Sequence, residues 1–260
     1  RQKGQLTDNK RSVYLTASEK SPNTKTRASG LYKIGTGATT IAANAGNFDR
    51  CNGFVIRPIY VAVSTDPVDM GLDINFAPGN LGATIDNPAG DYYGWGCTEP
   101  YADGENVTWS LYFQKIGGSG SAASDCGTAK DPLRGVTEIS GTQWDPVRQK
   151  MGAPWRMATK ADWDKLKDES KFEWTWTTEG SVSGYKVTSK ISGHTDQYIF
   201  LPAAGKRSGT SIADNGHVYW WSSTLSSSAS QANNLNLHQY YKGWSTDDRF
   251  YGQSVRPVCD

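Results

Sequence analysis

The stretch Glu173-Trp-Thr-Trp-Thr-Thr-Glu179 alternates aromatic and hydroxyl side chains, and glycine-rich turns separate it from Tyr185–Ile191 and from Tyr198-Ile-Phe-Leu201. A period of two sends successive side chains to opposite faces of a strand, so this pattern commits the chain to short antiparallel strands. Ten Trp, thirteen Tyr and seven Phe against only three Met point the same way. Aromatic side chains fit the pleat, and abundant Gly, Ser and Asn supply turns between strands. A helical bundle is excluded.

Two helices interrupt the strands. Asp145 followed by Pro146 is an N-cap with proline at the first helical position, and Gly152 ends that segment after Met151. Thr159-Lys-Ala-Asp162 is a capping-box start, after which Trp163 and Leu166 fall on one face. Helices grouped inside a strand-rich chain favour α+β over a doubly wound sheet. Residues 1–12 are polar and read as a tail; strand signals begin at Val13. Turn chemistry at Ser64-Thr-Asp-Pro67 separates a segment at 13–64 from a domain at 65–260, whose first strand is expected at Val68–Phe76.

The two segments share a motif. Asp49-Arg50-Cys-Asn-Gly53-Phe-Val-Ile56-Arg57-Pro58 recurs as Asp248-Arg249-Phe-Tyr-Gly252-Gln-Ser-Val255-Arg256-Pro257. The first segment thus reads as the C-terminal part of a preceding related repeat, with Phe54–Val63 as a strand. Arg57 and Arg256 are expected to play one structural role, an ion pair with a buried acid.

Lys plus Arg number 27 and Asp plus Glu 26, so no broad charge footprint exists for nucleic acid or anionic lipid. No apolar run reaches transmembrane length, and no basic n-region precedes an apolar h-region at the start; a secretion signal, if it existed, is expected to have been removed. Cys51, Cys97, Cys126 and Cys259 include no Cys-x-x-Cys pair, which argues against zinc and thioredoxin chemistry. Four cysteines allow three pairings. A Cys97–Cys126 bridge around Gly117–Ser124 and free buried thiols both remain open.

Six further stretches, in order, carry a resemblance: Val68-Asp-Met-Gly71, Gly90-Asp-Tyr-Tyr-Gly94-Trp-Gly96, Trp155-Arg-Met-Ala-Thr159, Ile199-Phe-Leu-Pro202, Tyr219-Trp-Trp-Ser222 and Gly252-Gln-Ser-Val-Arg256-Pro257. Residues 66–260 resemble the Fibrobacter succinogenes major paralogous domain family of Bacteroidetes surface lipoproteins. That resemblance implies a C-type-lectin-like fold, related to the formylglycine-generating enzyme and to retroelement-diversified receptor-binding proteins. It also implies an exported protein at the cell surface, associated with the outer membrane.

Catalytic chemistry finds little support. An enzyme of the formylglycine-generating type needs paired thiolates before the last strand, and residues 225–250 contain no cysteine. The calcium-binding triplets of sugar-binding C-type lectins are missing as well: Glu99-Pro100 is followed by Tyr101. Asp103-Gly-Glu105-Asn106 reads as a turn. His194, His217 and His238 are scattered outside any hydrolase or metalloprotease motif. No catalytic residue, metal or cofactor is expected.

Recognition is expected at Asn233–Tyr251. Leu235 and Leu237 alternate with Asn234, Asn236, His238 and Tyr240, so a strand with its leucines inward presents the others outward. Lys242-Gly243 is read as the turn, followed by Trp244, Asp247 and Tyr251. Of these, Trp244 divides evenly between core and surface. Tyr, Trp, Asn and Asp combine rigid contact area with adaptable hydrogen bonding. Adjacent Trp220 and Trp221 must face opposite ways, one into the core and the other able to floor the ligand face. The sequence therefore reads as a noncatalytic adhesin or surface binding module for a host or cell-surface protein or glycan. The alternatives are a retroelement-diversified receptor-binding protein and, less favoured, the oxidase-type enzyme.

Overall fold

The computed structural model describes residues 11–19, 27–34, 42–49, 66–84, 87–179 and 182–260. The chain divides into two compact units, Arg1–Tyr60 and Val61–Asp260. In the first, β1 (Arg11–Glu19), β2 (Arg27–Ile34) and β3 (Ala42–Asp49) form an antiparallel sheet in that order, with irregular register in both pairings. The expected strand Phe54–Val63, with Cys51 and Arg57, lies outside the described residues.

The second unit is mixed α+β, with three short α-helices among short, mostly antiparallel sheets. The strand expected at Val68–Phe76 is instead a hairpin, β4 (Val68–Asp69) and β5 (Asn75–Phe76). Asp69 turns the chain by accepting a bond from the Gly71 amide at 2.8 Å, and Gly71 takes φ +80°, a conformation glycine adopts without strain. α1 (Trp109–Lys115) is a helix the sequence reading missed. Its signals were present: Thr108 caps the Leu111 amide, and Trp109, Tyr112, Phe113 and Ile116 follow the spacing of one helical face.

α2 (Pro146–Met151) and α3 (Lys160–Leu166) form where their caps place them. Asp145 is the stronger cap, since its carboxylate accepts from the amides of Gly141, Val147, Arg148 and Met157. It thereby ties α2 to β6 (Arg156–Met157). Thr159 and Asp162 complete the expected capping box.

β7 (Phe172–Glu179), β8 (Val182–Ser189) and β9 (Tyr198–Pro202) form one meander, and β10 (Lys206–Ser208) with β11 (Ser211–Ala213) a small hairpin. β12 (Val218–Leu225), β13 (Gln231–His238) and β14 (Tyr241–Asp248) form a second meander. The last strand, β15 (Pro257–Cys259), lies between β5 and β6.

β12 separates two apolar cores. Trp220 packs with Phe76, Trp163, Leu235 and Val258 in one; Trp221 packs with Trp95, Tyr112, Phe113 and Val255 in the other. Both tryptophans are fully buried, so neither floors an exposed face, contrary to the sequence expectation. The Trp221 indole donates to the Tyr93 carbonyl at 2.8 Å, whereas the Trp220 indole N–H has no partner and its ring contacts Trp163 and Arg256.

The segment after β14 stitches the unit together. Gly252 bridges to Arg207, Gln253 to Tyr93 and Ser254 to Trp220 before Pro257 and Val258 enter the β15 sheet. Buried arginines bracket it. Arg249 pairs with buried Asp131 through two bonds of 2.9 and 3.2 Å and also donates to the Tyr112 hydroxyl at 2.8 Å. Arg256 does not form the expected ion pair. It donates to the carbonyls of Ala77 and Phe200 and lies 4.9 Å over the Trp220 ring. Burial without a counter-ion pulls its pKa down, to about 9.

Cys97, Cys126 and Cys259 are free and buried, which decides the open question against a Cys97–Cys126 bridge. No helix among the described residues is long and apolar enough to cross a membrane.

Burial pushes the Asp131 carboxyl up, but Arg249 and the amides of Gly127 and Leu133 outweigh it and hold its pKa below the ordinary 3.8. A depressed carboxyl pKa stabilises the fold fully above the ordinary value, and the contribution is lost as pH falls through the folded one. Asp131→Ala should cost about 3–5 kcal/mol in urea unfolding at pH 7, because Arg249 is left buried and unpaired. The deficit should shrink as pH falls from about 4 through the lowered folded pKa, because the unfolded carboxyl protonates first and the wild type loses the advantage.

Candidate functional site

The antiparallel register of the β12–β14 meander sorts its side chains. Val218 pairs with Leu237, and Trp220 with Leu235, which pairs in turn with Trp244. Partners directly across a ladder share a face, so these residues form the leucine face and seal the first core. Tyr219, Asn236 and Gly243 share the opposite face, as do Trp221, Asn234 and Ser245.

The turn lies at Gln239-Tyr240, three residues before the Lys242-Gly243 expected from sequence. Gly243 is a strand residue because the Tyr241 phenol packs over it, in space a Cβ would fill. Tyr240 therefore does not continue the row of Asn234, Asn236 and His238. It projects from the turn and is 85 % exposed.

Trp244 belongs to the other face. It is half-buried, donates its indole N–H to Asp164 on α3 at 2.7 Å, and lies between the ammonium groups of Lys160 and Lys167 at 4.6 and 4.9 Å. Its role is to fasten β14 to α3, and it cannot share a contact surface with Asn236. Beside it a cavity of about 160 Å³, lined by Leu235, Leu237, Trp174 and Lys242, admits a group no larger than about a benzene ring.

Three of the remaining expected residues take part in an internal polar network. Asn234 is fully buried and donates to Asp247 at 2.6 Å, so it is not an outward amide. Gln253 donates to the same carboxylate oxygen at 2.7 Å, and Lys206 to the other at 3.1 Å. The Lys206 ammonium also lies over the rings of Tyr219 and Tyr251, at 4.5 and 4.9 Å, which anchors half-buried Tyr251. Tyr219 completes the network by donating to Asp214 at 3.0 Å. Lys206, Asp214 and Gln253 were not singled out from the sequence. No local pattern marks them, since each comes from a different element.

What is left accessible clusters at the turn. His238 is half-buried, stacks on Tyr241 at 5.7 Å and touches the His217 ring at 4.7 Å. Its Nδ1 accepts the Tyr240 amide at 3.3 Å, which fixes the turn backbone. Half-buried Asn236 reaches the Tyr219 hydroxyl at 3.5 Å, and its carbonyl oxygen is buried and unbonded. Tyr240 and Tyr241, 85 % and 46 % exposed, are two of the four exposed large hydrophobic side chains among the described residues.

This surface offers rings, amides and imidazoles. Elsewhere the thiols are unsuited to nucleophilic work: burial pushes Cys97 up to about 12 and Cys126 to about 11. Among the described residues no group of three or more His, Cys, Asp or Glu is placed to hold a metal ion.

Replacing Trp244 by Ala should destabilise the second unit by about 2 kcal/mol, below the roughly 3–5 kcal/mol of fully buried aromatic truncations because the ring is half-buried. Asp164→Asn should cost less, since an amide oxygen still accepts the indole N–H. Thermal melts of the two variants test the order.

Comparisons of the chain with protein-family models, with curated proteins and with solved structures found no match.

Proposed function

We propose that this chain is a noncatalytic recognition module of an exported cell-surface protein, an adhesin-type binder whose second unit has the C-type-lectin-like architecture of the Fibrobacter succinogenes major paralogous domains. The observation that carries the reading is the exposed aromatic turn, Tyr240 and Tyr241 beside His238 and Asn236, standing on a sheet packed on both faces. Tyrosine supplies a large amphipathic contact area with few rotors to immobilise, and a stiff mount lowers the ordering cost further. The neighbouring imidazole and the tyrosine hydroxyls add hydrogen bonds that adapt to a protein or glycan partner. High thiol pKa values, which disfavour thiolate chemistry, support recognition over the oxidase-type alternative.

Host-cell proteins and a glycan array, probed with the full chain, provide the test. Tyr240→Ala should weaken binding of whichever partner is captured by about 2 kcal/mol, the scale of an interface hot spot. Its unfolding free energy should stay within about 0.5 kcal/mol of wild type, as expected for an exposed side chain whose ring touches only the edge of His238. Unchanged affinity in Tyr240→Ala and Tyr241→Ala would remove the turn from the recognition surface.

A further inference from the structure

A separate cleft opens on the far side of β10. It has a volume of about 530 Å³ and is walled by Asp91, Tyr92, Tyr101, Asp103, Arg207 and Ile212. That volume falls within the usual range for small-molecule sites. Successive side chains of a strand point oppositely, so Lys206 joins the network under the aromatic turn while Arg207 lines this cleft.

The walls are held from behind. Tyr101 bonds through its amide to the Tyr92 carbonyl at 2.9 Å, and Arg207 exchanges backbone bonds with Gly252 at 2.7 and 3.0 Å. Gly252 lets the three walls converge: a Cβ there would lie 3.0 to 3.1 Å from Arg207, Tyr101 and Tyr92. Both tyrosine hydroxyls are spent on carbonyls, Tyr92 on Ala204 at 2.5 Å and Tyr101 on Phe250 at 2.8 Å. They therefore offer the cleft ring surface.

Its charges are incompletely satisfied. Arg207 is only 5 % exposed, and its Nη1 bonds the Tyr101 carbonyl and the carboxylate of Asp103 at 3.4 and 3.1 Å, yet its Nε has no partner. An unpaired N–H on a buried guanidinium is costly, and a carboxylate oxygen is its strongest acceptor. Asp91 is half-buried and shares a hydrogen bond with the Tyr93 hydroxyl, but it pairs with no cation among the described residues; Lys150, whose field reaches it, bonds Glu99 at 2.7 Å. Burial raises the Asp91 pKa, as expected of a carboxylate without a counter-ion.

A ligand that is only an anion would meet the repulsion of Asp91 and Asp103, and one that is only a cation would meet Arg207. We propose that this cleft binds a compact zwitterion, of amino-acid to dipeptide size, whose carboxylate is taken by Arg207 and whose ammonium is taken by Asp91 beside the ring of Tyr92. Cation–π attraction from that ring adds to the ammonium site, and Ile212 and Pro100 supply apolar surface for a side chain.

Isothermal titration calorimetry of the full chain with L-alanine, glycylglycine, acetate, ethylamine and glucose tests this. At least one of the two zwitterions should bind, with acetate, ethylamine and glucose each about tenfold weaker or worse, as the loss of one charge-assisted contact implies. Asp91→Asn and Arg207→Gln should each weaken zwitterion binding by about tenfold or more. Arg207 is structural as well, so its circular dichroism and melt are recorded alongside; Asp91→Asn, at a half-exposed site, carries the test if Arg207→Gln unfolds. Absence of heat with both zwitterions, equal binding of acetate, ethylamine or glucose, or unchanged affinity in folded Asp91→Asn would each overturn the proposal. Tyr240→Ala should leave zwitterion binding unaltered, which keeps this site distinct from the aromatic turn.

Discussion

The buried contact between Arg249 and Asp131 is the constraint on which the rest of the second unit depends. A guanidinium and a carboxylate that are both out of water lose several kcal/mol of hydration each, and only close, multiply bonded geometry returns it. The geometry is supplied from many places: the amides of Gly127 and Leu133 bond Asp131, while the Tyr112 hydroxyl and the Ala229 carbonyl bond Arg249. The rings of Trp95 and Tyr112, each 5.3 Å away, complete the surroundings. Loops that carry little regular structure are thereby fixed to the start of the closing segment. Once Arg249 is placed, Gly252, Gln253 and Ser254 reach their three bridges without further freedom.

Two adjacent tryptophans then decide which surfaces can function. Trp220 and Trp221 point into different cores, so the middle of the β12–β14 sheet is covered on both sides. The exposed tyrosines Tyr240 and Tyr241 are consequently found at the end of the hairpin, where the packing stops. The same arrangement accounts for the buried polar network around Asp247. Little solvent reaches the Asp247 carboxylate on the second face, so it is bonded internally, by Asn234, Lys206 and Gln253.

Legibility in the sequence followed the range of the interactions. Caps act over three residues, and Asp145, Thr159 and Asp162 placed α2 and α3 correctly. α1 went unread although Thr108 and the 109, 112, 113, 116 spacing were there, because its aromatic run also suits a strand. The hairpin was legible as two strands, with its leucines inward. Its turn was not, because Lys242-Gly243 carries the stronger local turn signal, and only the packing of Tyr241 over Gly243 explains a glycine inside β14. Among the candidate site residues, Asn236, His238 and Tyr240 lie together at the accessible end, whereas Asn234, Asp247 and Trp244 serve the interior or the opposite face. Asn, Asp, Tyr and Trp suit a binding surface and an internal network equally. Composition cannot separate the two, because the distinction rests on side chains such as Lys206 that arrive from elsewhere in the chain.

The motif Asp248-Arg249-x-x-Gly252-x-x-x-Arg256-Pro257 acquires a physical meaning from these contacts. Arg249 anchors the segment by an ion pair, Gly252 admits three converging walls, and Arg256 caps the carbonyls of Ala77 and Phe200. The two arginines are not equivalent. One is neutralised and shared among several partners, while the other keeps an unpaired charge against Trp220, a position where lysine's compact ammonium could not span two carbonyls and cover an indole together. The same three residue types recur at Arg50, Gly53 and Arg57, which lie outside the described residues.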